Sequence, residues 1–275
     1  MELENKSCDR PHVFWDDPQR GTVDVLAISL QKFSFRFSSK ALRLFLVSVV
    51  DMPKFITGQL LDGRFEVTRV CGEGYFSFVH LGLDNRTGKQ VAIKQKKEGR
   101  YCDLRAEYEK LVKLAPCQYA PDPIAYSDDS NDDEFFVTSY EGVSLNATLA
   151  EHFSKSTAIY TVMQILYHGL LALRDLHGKD YYHGDISLNN MVVPEDNQKG
   201  KILLVDFGIS RKFNKDGGRR DVLDLLNSLL HRSTKDFDEV RKKFKDNEQM
   251  TIDDMIGEVQ GKYNFDPKEP FEWQE

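Results

Sequence analysis

The feature that most constrains this chain is a polar loop between two apolar segments, residues 183–190, with the sequence His-Gly-Asp-Ile-Ser-Leu-Asn-Asn. The loop carries the carboxylate of Asp185 and the amide of Asn190 between a predicted helix and a predicted strand. Such a loop can hold a proton acceptor beside an oxygen ligand for a hard cation. The alternative is an Asp/Asn-rich turn whose side chains cap backbone groups.

A second acidic motif follows the next apolar stretch. Residues 202–205 predict a short strand, and Asp206-Phe207-Gly208 comes directly after it. A carboxylate at the end of a strand, with a glycine behind it, suits a magnesium ligand that faces phosphate groups. The tripeptide is common on its own, so its weight comes from its position after the loop at 183–190.

A glycine-containing turn precedes both motifs. The residues from Gly72 through Gly74 to Val79 lie between two segments of alternating apolar and polar residues, which predict strands. Glycine lets the backbone approach phosphate groups closely, so the turn is a candidate phosphate cradle. In isolation it is more typical of a plain hairpin turn.

A lysine ends the third predicted strand. In Val-Ala-Ile-Lys, residues 91–94, strand alternation puts Ala92 and Lys94 on the same face. As a functional residue, Lys94 would hold phosphates and pair with Glu107 on the following helix, with Glu109 as the fallback partner. The alternative is an edge lysine that reaches solvent along its apolar stem.

The element pattern predicts an α+β fold with two lobes. Residues 62–140 predict five antiparallel strands and one helix over residues 101–114, and residues 141–275 predict a mainly helical lobe with a long apolar helix over residues 158–176. Residues 1–61 form an N-terminal extension of unknown role, in which alternating phenylalanines from Phe33 to Phe37 suggest a strand.

In order and spacing, these motifs resemble those of the eukaryotic protein kinases over about residues 62–230. Within that superfamily the chain looks most like the casein kinase 1 group. The features in common are residues 136–145, the short gap between Lys94 and the helix with Glu107, and Gln164 in the long helix.

The resemblance implies ATP and Mg²⁺ as cofactors and assigns roles to the motif residues. Asp185 would orient the attacking hydroxyl, with Lys94 and Glu107 as its catalytic companions, while Asn190 and Asp206 would bind the metal. By the same resemblance, His183 and Phe207 would join a hydrophobic spine with Leu111. The implied ATP-binding residues are Gly72, Gly74, Val79, Ala92, Lys94, Thr138 as gatekeeper, Ser139 and Tyr140.

The departures from the family pattern concern regulation and substrate docking. Gly184 replaces an arginine that reads an activation-loop phosphate, so switching by such a phosphate is not expected. Ser187 replaces a lysine that contacts the transferred group, and Ser77 replaces the third loop glycine. The sequence has no Ala-Pro-Glu motif, and the next helix is expected to begin at Asp221, so the activation segment is short.

The resemblance and its departures leave three functions open. The first is Mg²⁺-dependent phosphoryl transfer from ATP to serine or threonine hydroxyls of a protein, rather than to tyrosine. The second is a catalytically weak or silent pseudokinase scaffold that binds nucleotide and an unidentified partner. The third is a small-molecule phosphotransferase, since a His-Gly-Asp motif with a short activation segment is similar to those of aminoglycoside and choline phosphotransferases.

Composition narrows the setting of this chain. A net charge of −7 argues against a general affinity for nucleic acid. The four cysteines show neither metal-ligand spacing nor a disulfide framework, which favours a reducing compartment, the cytoplasm or the nucleus. The most apolar run, residues 41–50, is far shorter than the roughly 20 residues that cross a bilayer, so no membrane span is expected.

Overall fold

The computed structural model describes residues 52–128, 134–152, 159–194, 201–232, 235–268 and 270–271. The predicted strand around residues 33–37 and nearly all of the N-terminal extension lie outside these ranges. No helix within them is long and apolar enough to cross a membrane.

The N-terminal half is an antiparallel sheet of six strands, β1 Leu60–Leu61, β2 Phe65–Glu73, β3 Ser77–Asp84, β4 Lys89–Lys96, β5 Pro123–Ser127 and β6 Phe135–Ser139. Their spatial order is β1-β2-β3-β4-β6-β5. The five predicted strands are present, and a sixth, the two-residue β1, pairs with the start of β2. One face of the sheet buries Val91, Ile93 and Val137 against Phe55 and Phe65.

Helix α1, Leu104–Leu114, packs against this sheet and begins three residues later than the sequence predicts. The Asp103 side chain accepts a hydrogen bond from the Ala106 N–H, which satisfies one of the free donors at the helix start. Tyr101, which the apolar pattern placed in the helix, lies in solvent before the cap. Because the cap fixes where the helix begins, it also fixes the rotation at which Glu107 faces inward.

The C-terminal half is mainly helical and surrounds α3, Ile159–Gly178, which is buried on nearly every side. A Cβ added at Gly169 would lie 2.9 Å from Leu225, so glycine allows α3 and α4, Lys215–Ser228, to approach closely. Short strands form the sheets β10-β9-β7 and β11-β8. The elements are β7 Val143–Ser144, α2 Leu145–His152, α3 Ile159–Gly178, β8 Tyr181–Tyr182, β9 Met191–Val193, β10 Leu203–Leu204, β11 Arg211–Lys212, α4 Lys215–Ser228, α5 Lys235–Asp246 and α6 Ile252–Tyr263.

The expectation that a helix begins at Asp221 is wrong, because α4 begins at Lys215 with Asn214 as its N-cap. Glycine has low helix propensity, so Gly217 and Gly218 conceal the first turn in the sequence. A Cβ at Gly217 would lie 2.5 Å from the Tyr182 ring, so close packing on β8 requires glycine there. Only residues 207–214 therefore link Asp206 to α4, and this link is shorter than the sequence predicts.

Candidate active site

The ammonium group of Lys94 joins three elements of the structure. Its Nζ lies 2.7 Å and 2.8 Å from the two carboxylate oxygens of Glu107, which α1 presents to the sheet. The same Nζ lies 2.8 Å from Oδ1 of Asp206, two residues after the end of β10. The fallback partner Glu109 instead lies on the exposed side of α1 and pairs with Arg105.

The charges in this cluster stabilise one another. Burial alone would lower the pKa of Lys94, but the carboxylates of Glu107 and Asp206 outweigh burial, so the pKa is raised and the ammonium stays charged. Burial works to raise the pKa of Asp206, and the Lys94 charge outweighs it, so this pKa is lowered. The Glu107 pKa is raised by burial against the pull of Lys94, yet both its oxygens accept hydrogen bonds from Lys94, as an ionised carboxylate does.

The register of the sheet brings the predicted nucleotide-binding residues to one face. Val79 on β3 lies opposite Lys94 on β4, and Ala92 lies opposite Thr138 on β6. Directly paired residues point to the same side of a sheet, and so do residues two apart along one strand. Val79, Ala92, Lys94 and Thr138 therefore share the face that is turned away from Phe55.

At the end of β6, part of the backbone is already engaged within the fold. The Ser139 N–H donates to the Asp122 carbonyl at 2.9 Å, and the Ser139 carbonyl accepts from the Thr138 hydroxyl at 3.1 Å. The Ser139 hydroxyl also donates to the Glu141 carboxylate. An adenine ring bound here would have to share the Ser139 carbonyl with the Thr138 hydroxyl, and the Ser139 N–H is already used by Asp122.

The glycine turn is a hairpin that could also cover phosphate groups. Gly72 lies in β2 opposite Val79, and the Gly74 N–H closes the turn by donating to the Ser77 carbonyl at 2.9 Å. The tip residues Tyr75 and Phe76 are exposed. The two interpretations of this motif are therefore compatible, because the hairpin turn is the element that would cover a nucleotide.

The loop at residues 183–190 holds Asp185 and Asn190 together. The Asn190 side-chain amide donates to the Asp185 carbonyl and to its Oδ2, each at 2.9 Å. The Val205 N–H donates to the Asn190 carbonyl at 2.9 Å, so the loop is fixed beside the strand end that carries Asp206. The side-chain nitrogen of Asn190 donates to Asp185, so the side-chain oxygen is the atom that can ligate a cation.

His183 connects the loop to the Asp206 motif. Its Nε2 lies 3.0 Å from the Val205 carbonyl, its Nδ1 accepts from the Asp185 N–H at 3.3 Å, and its ring centroid lies 5.0 Å from that of Phe207. A carbonyl only accepts hydrogen bonds, so the proton is on Nε2 and the ring is neutral. Burial lowers the pKa of His183, which agrees with this protonation state.

Asp221 anchors the loop from α4. Its buried carboxylate accepts from the His183 N–H at 2.7 Å and from the Gly184 N–H at 2.8 Å, and it lies 3.0 Å from Nε2 of His177. Gly184 has φ = +82°, which L side chains rarely adopt. The glycine that replaces the family's arginine thus suits the local backbone, which Asp221 holds in place.

Asp206 and Asn190 carry a carboxylate and an amide oxygen, which would suit a magnesium ion. Carboxylate and amide oxygens are ligands of choice for this cation, which usually takes one or two protein ligands and completes its shell with phosphates and water. Among the described residues, no cluster of three or more His, Cys, Asp or Glu side chains could hold a metal alone. The donor set therefore fits a nucleotide-associated ion better than a metal bound by protein groups alone.

One residue of this site was missed in the sequence. Lys110, on α1, donates hydrogen bonds from Nζ to the carbonyls of Phe207 and Gly208, at 3.0 Å and 2.8 Å. Its spacing of three from Glu107 puts both residues on neighbouring parts of the helix surface, which was the available signal. Its acceptors are backbone carbonyls, which every sequence contains, so the contact itself has no sequence pattern.

Comparison with known proteins agrees with this geometry. Residues 65–228 match the family model described as the protein kinase domain, which covers more than half of the chain. The chain belongs to the protein kinase family. A similar curated protein is a probable serine/threonine-protein kinase of Dictyostelium discoideum, 27% identical over 161 residues, which are 58% of this chain and 32% of that protein. The chain thus spans about a third of the length of that relative.

Proposed function

We propose that this chain transfers the γ-phosphoryl group of ATP, in the presence of Mg²⁺, to serine or threonine hydroxyls of a protein substrate. The observation that carries the proposal is the Lys94 ammonium, which is hydrogen-bonded at once to Glu107 on α1 and to Asp206 beyond β10. This arrangement puts a cation and a carboxylate next to the sheet face that carries Val79, Ala92 and Thr138, which supports binding of a nucleotide with its metal ion.

Each of these residues has a role in the proposed reaction. Lys94 would bind phosphate oxygens, with Glu107 keeping its ammonium in place. Asp185 would accept the proton of the attacking hydroxyl through Oδ1, because Asn190 occupies Oδ2. Asn190 and Asp206 would bind magnesium, which when bound neutralises charge on the phosphates.

The type of substrate and the compartment are part of the same proposal. The printed name of the Dictyostelium relative supports serine or threonine as the acceptor. The motif residues named above support placement near the casein kinase 1 group. The described cysteines Cys71, Cys102 and Cys117 are free thiols, which supports a reducing compartment, the cytoplasm or nucleus. The net charge of −7 supports a protein rather than a nucleic acid as partner.

A second candidate function is a nucleotide-binding scaffold with little or no turnover. Ser187 favours it, because this position holds an uncharged hydroxyl where the family has a lysine, and its carbonyl is used to receive the Asn190 N–H. Loss of a cation from the reacting phosphate slows transfer without preventing binding. A small-molecule phosphotransferase is a third candidate, and substrate trials distinguish it from the first.

The first test combines nucleotide binding with turnover. The melting temperature of the full chain is measured with ATP, with and without Mg²⁺, and ADP release is then followed with casein and with small alcohol acceptors. We expect Mg²⁺-dependent stabilisation and casein-dependent release. Stabilisation without release by any acceptor supports the scaffold, and release only with the small acceptors supports the third candidate. If ATP has no effect on melting, the nucleotide-binding proposal fails.

Two variants and a control assign the roles. Asp185→Asn should retain ATP binding and lose turnover by about two to four orders of magnitude, because it removes the proton acceptor.

Asp206→Asn should lose the Mg²⁺ dependence of binding, because a neutral amide is a poor ligand for a hard dication. Asp253→Asn, on the exposed surface of α6, should match the parent chain. Wild-type turnover in Asp185→Asn would contradict its assignment.

A further inference from the structure

Lys110 makes a contact that joins α1 to the link after Asp206. The residue lies one helical turn beyond Glu107 on α1, and a lysine at this spacing would ordinarily pair with the glutamate. Instead its Nζ lies 3.0 Å from the Phe207 carbonyl and 2.8 Å from the Gly208 carbonyl. Hydrogen bonds from a charged donor are stronger than neutral ones, so the contact holds two backbone groups at the site.

Other features also connect this segment to α1. Glu107 and Asp206 share the Lys94 ammonium, and Phe207 is fully buried in the same hydrophobic cluster as Leu111. A Cβ added at Gly208 would lie 3.4 Å from both the Asp206 and the Glu107 carboxylates, so this glycine packs directly against the ion pairs. Lys110 therefore clamps a segment whose position decides where the Asp206 carboxylate points.

Apart from Lys110, the structure offers few ways to control the position of residues 207–214. Gly184 has no side chain that could bind a phosphate on this segment, and residues 207–214 leave little chain for a movable loop. The middle of the link is paired with β8 through Arg211 and Lys212. Control by added charge would need a flexible segment and a cationic receptor, which this link and Gly184 do not supply.

We propose that Lys110 is a positioning residue that fixes α1 to the Asp206-Phe207-Gly208 backbone, so that Asp206 is held towards the phosphates without activation-loop phosphorylation. This inference rests on the proposed function for its catalytic consequence, whereas the clamp itself is independent of turnover. Lys110 acts through Asp206 and touches no reacting atom. The Lys110 ammonium group has three donors and no acceptor, so in this contact it can only donate hydrogen bonds to the two carbonyls.

The variants are chosen to separate the clamp from general packing. In the full chain, Lys110→Met keeps the apolar stem and removes the donors, and Lys110→Arg restores donors that can reach two carbonyls. Lys113→Met is the matched control, since Lys113 is an exposed lysine in the last turn of the same helix. Amide hydrogen exchange is compared between a peptide covering residues 206–211 and one covering β3.

We expect exchange in residues 206–211 to rise about tenfold or more in Lys110→Met, as the loss of a charged hydrogen bond implies, while β3 is unchanged. Lys110→Arg should return to within about threefold of the parent chain, and Lys113→Met should match it. In the turnover assay, Lys110→Met should need a higher Mg²⁺ concentration for half-maximal rate and show a lower kcat, with the KM for casein little changed.

Two results would overturn the proposal. One is unchanged exchange in residues 206–211 of Lys110→Met, and the other is a rise of equal size in β3, which would mean general destabilisation. The exchange measurement needs neither nucleotide nor turnover. A parent chain with no turnover therefore defeats the proposed function alone, whereas normal exchange in Lys110→Met defeats the clamp even in an active enzyme.

Discussion

At the scale of single residues, Gly184 shows how a departure from the family pattern can have a local cause. Its φ of +82° lies in the region where an added Cβ strains the backbone. The space itself is not the obstacle, because a Cβ there would meet Tyr182 and Ile209 at ordinary contact distances of 3.5–3.7 Å. An arginine at this position would be accommodated only at the cost of that strain.

Gly184→Ala should therefore destabilise the chain by about 1–2 kcal/mol through backbone strain alone. The comparison is Gly257→Ala in the middle of α6, where no atom lies within 4 Å of the added Cβ and the helix favours alanine by about 1 kcal/mol. Urea unfolding should give opposite signs for the two variants. Equal or stabilising effects from both would mean that the Gly184 conformation is not strained for alanine.

His168 is a buried histidine that lowers the stability of the folded chain at acid pH. Its Nε2 has no hydrogen-bond partner among the described residues, its ring packs against Tyr167 and Phe271, and burial lowers its pKa to about 4. The unfolded chain protonates this ring near pH 6.5, so the unfolded state binds more protons between these two values. Stability linked to His168 is present above about pH 6.5 and is lost as the pH falls towards about 4.

His168→Phe should reduce the pH dependence of unfolding. The parent chain should lose about 2 kcal/mol more than the variant between about pH 7.5 and about pH 4.5, because the variant has no ring to protonate. Urea unfolding at the two pH values gives the difference directly, and His231→Gln, at an exposed position, serves as the control. A variant whose stability falls as steeply as that of the parent chain would show that the folded ring titrates normally.

At the scale of elements, α4 does more than fill space, because it carries the carboxylate that organises the loop at residues 183–190. Asp221 is fully buried and receives two backbone N–H groups of the loop. A backbone donor left without a partner in the interior costs about 1–3 kcal/mol. The helix and the loop should therefore be coupled through this one side chain.

Asp221→Ala should destabilise the chain by about 3–5 kcal/mol, since it leaves the buried His183 N–H, the partly buried Gly184 N–H and His177 without their acceptor. Asp221→Asn should cost less, because one oxygen remains. Asp224→Ala on the same helix, where the nearest cation is Arg220 at 3.8 Å, should cost less than about 1 kcal/mol. Urea unfolding of the three variants tests the order, and a small loss in Asp221→Ala would show that water replaces the carboxylate.

The elements also show what the sequence can predict. Apolar and polar residues alternate in β2 to β6, and α3 is one long apolar run. Both patterns are strong signals, and these elements appear where they were expected. The two-residue β1 has no period to detect, and the start of α4 is hidden by Gly217 and Gly218, whose close packing only the folded chain reveals. The ends of α1 and α4 depend on the caps Asp103 and Asn214, which act through single hydrogen bonds.

The site was predictable where side chains act on side chains. Charge and spacing pointed to Lys94, Glu107 and Asp206, and in the structure both carboxylates lie within 2.8 Å of the Lys94 ammonium. Contacts to the backbone were not predictable in this way. The clamp by Lys110 and the hydrogen bonds that engage Ser139 depend on carbonyl and N–H groups whose positions follow only from the completed fold.

At the scale of the whole molecule, part of the core lies before residue 62, where the sequence suggested that the domain begins. Phe55 and Leu61 are buried against the sheet, in the same hydrophobic cluster as Phe65 and Val137. Phe55 also packs edge-on against Phe135, with ring centroids 5.5 Å apart. These contacts support a proposal that the folding unit includes residues from about 52 onwards.

A chain that starts at residue 62 should therefore be less stable than one that starts at residue 52 by about 3 kcal/mol or more, because it loses two buried side chains and β1. Phe55→Ala in the longer chain measures the share that comes from the aromatic ring. Thermal and urea unfolding of the three proteins gives these differences. Equal stability of the two chains would place the boundary of the folding unit at residue 62.

The short link between Asp206 and α4 also decides what can approach Asp185 from outside. A long segment in this place would form a channel in which an extended peptide is read side chain by side chain, and residues 207–214 are too few to build one while Arg211 and Lys212 remain paired with β8. If the chain phosphorylates a protein, as proposed above, the acceptor hydroxyl would be selected by the shape of a folded partner as a whole. The phosphorylated sites would then show little common sequence around the serine or threonine.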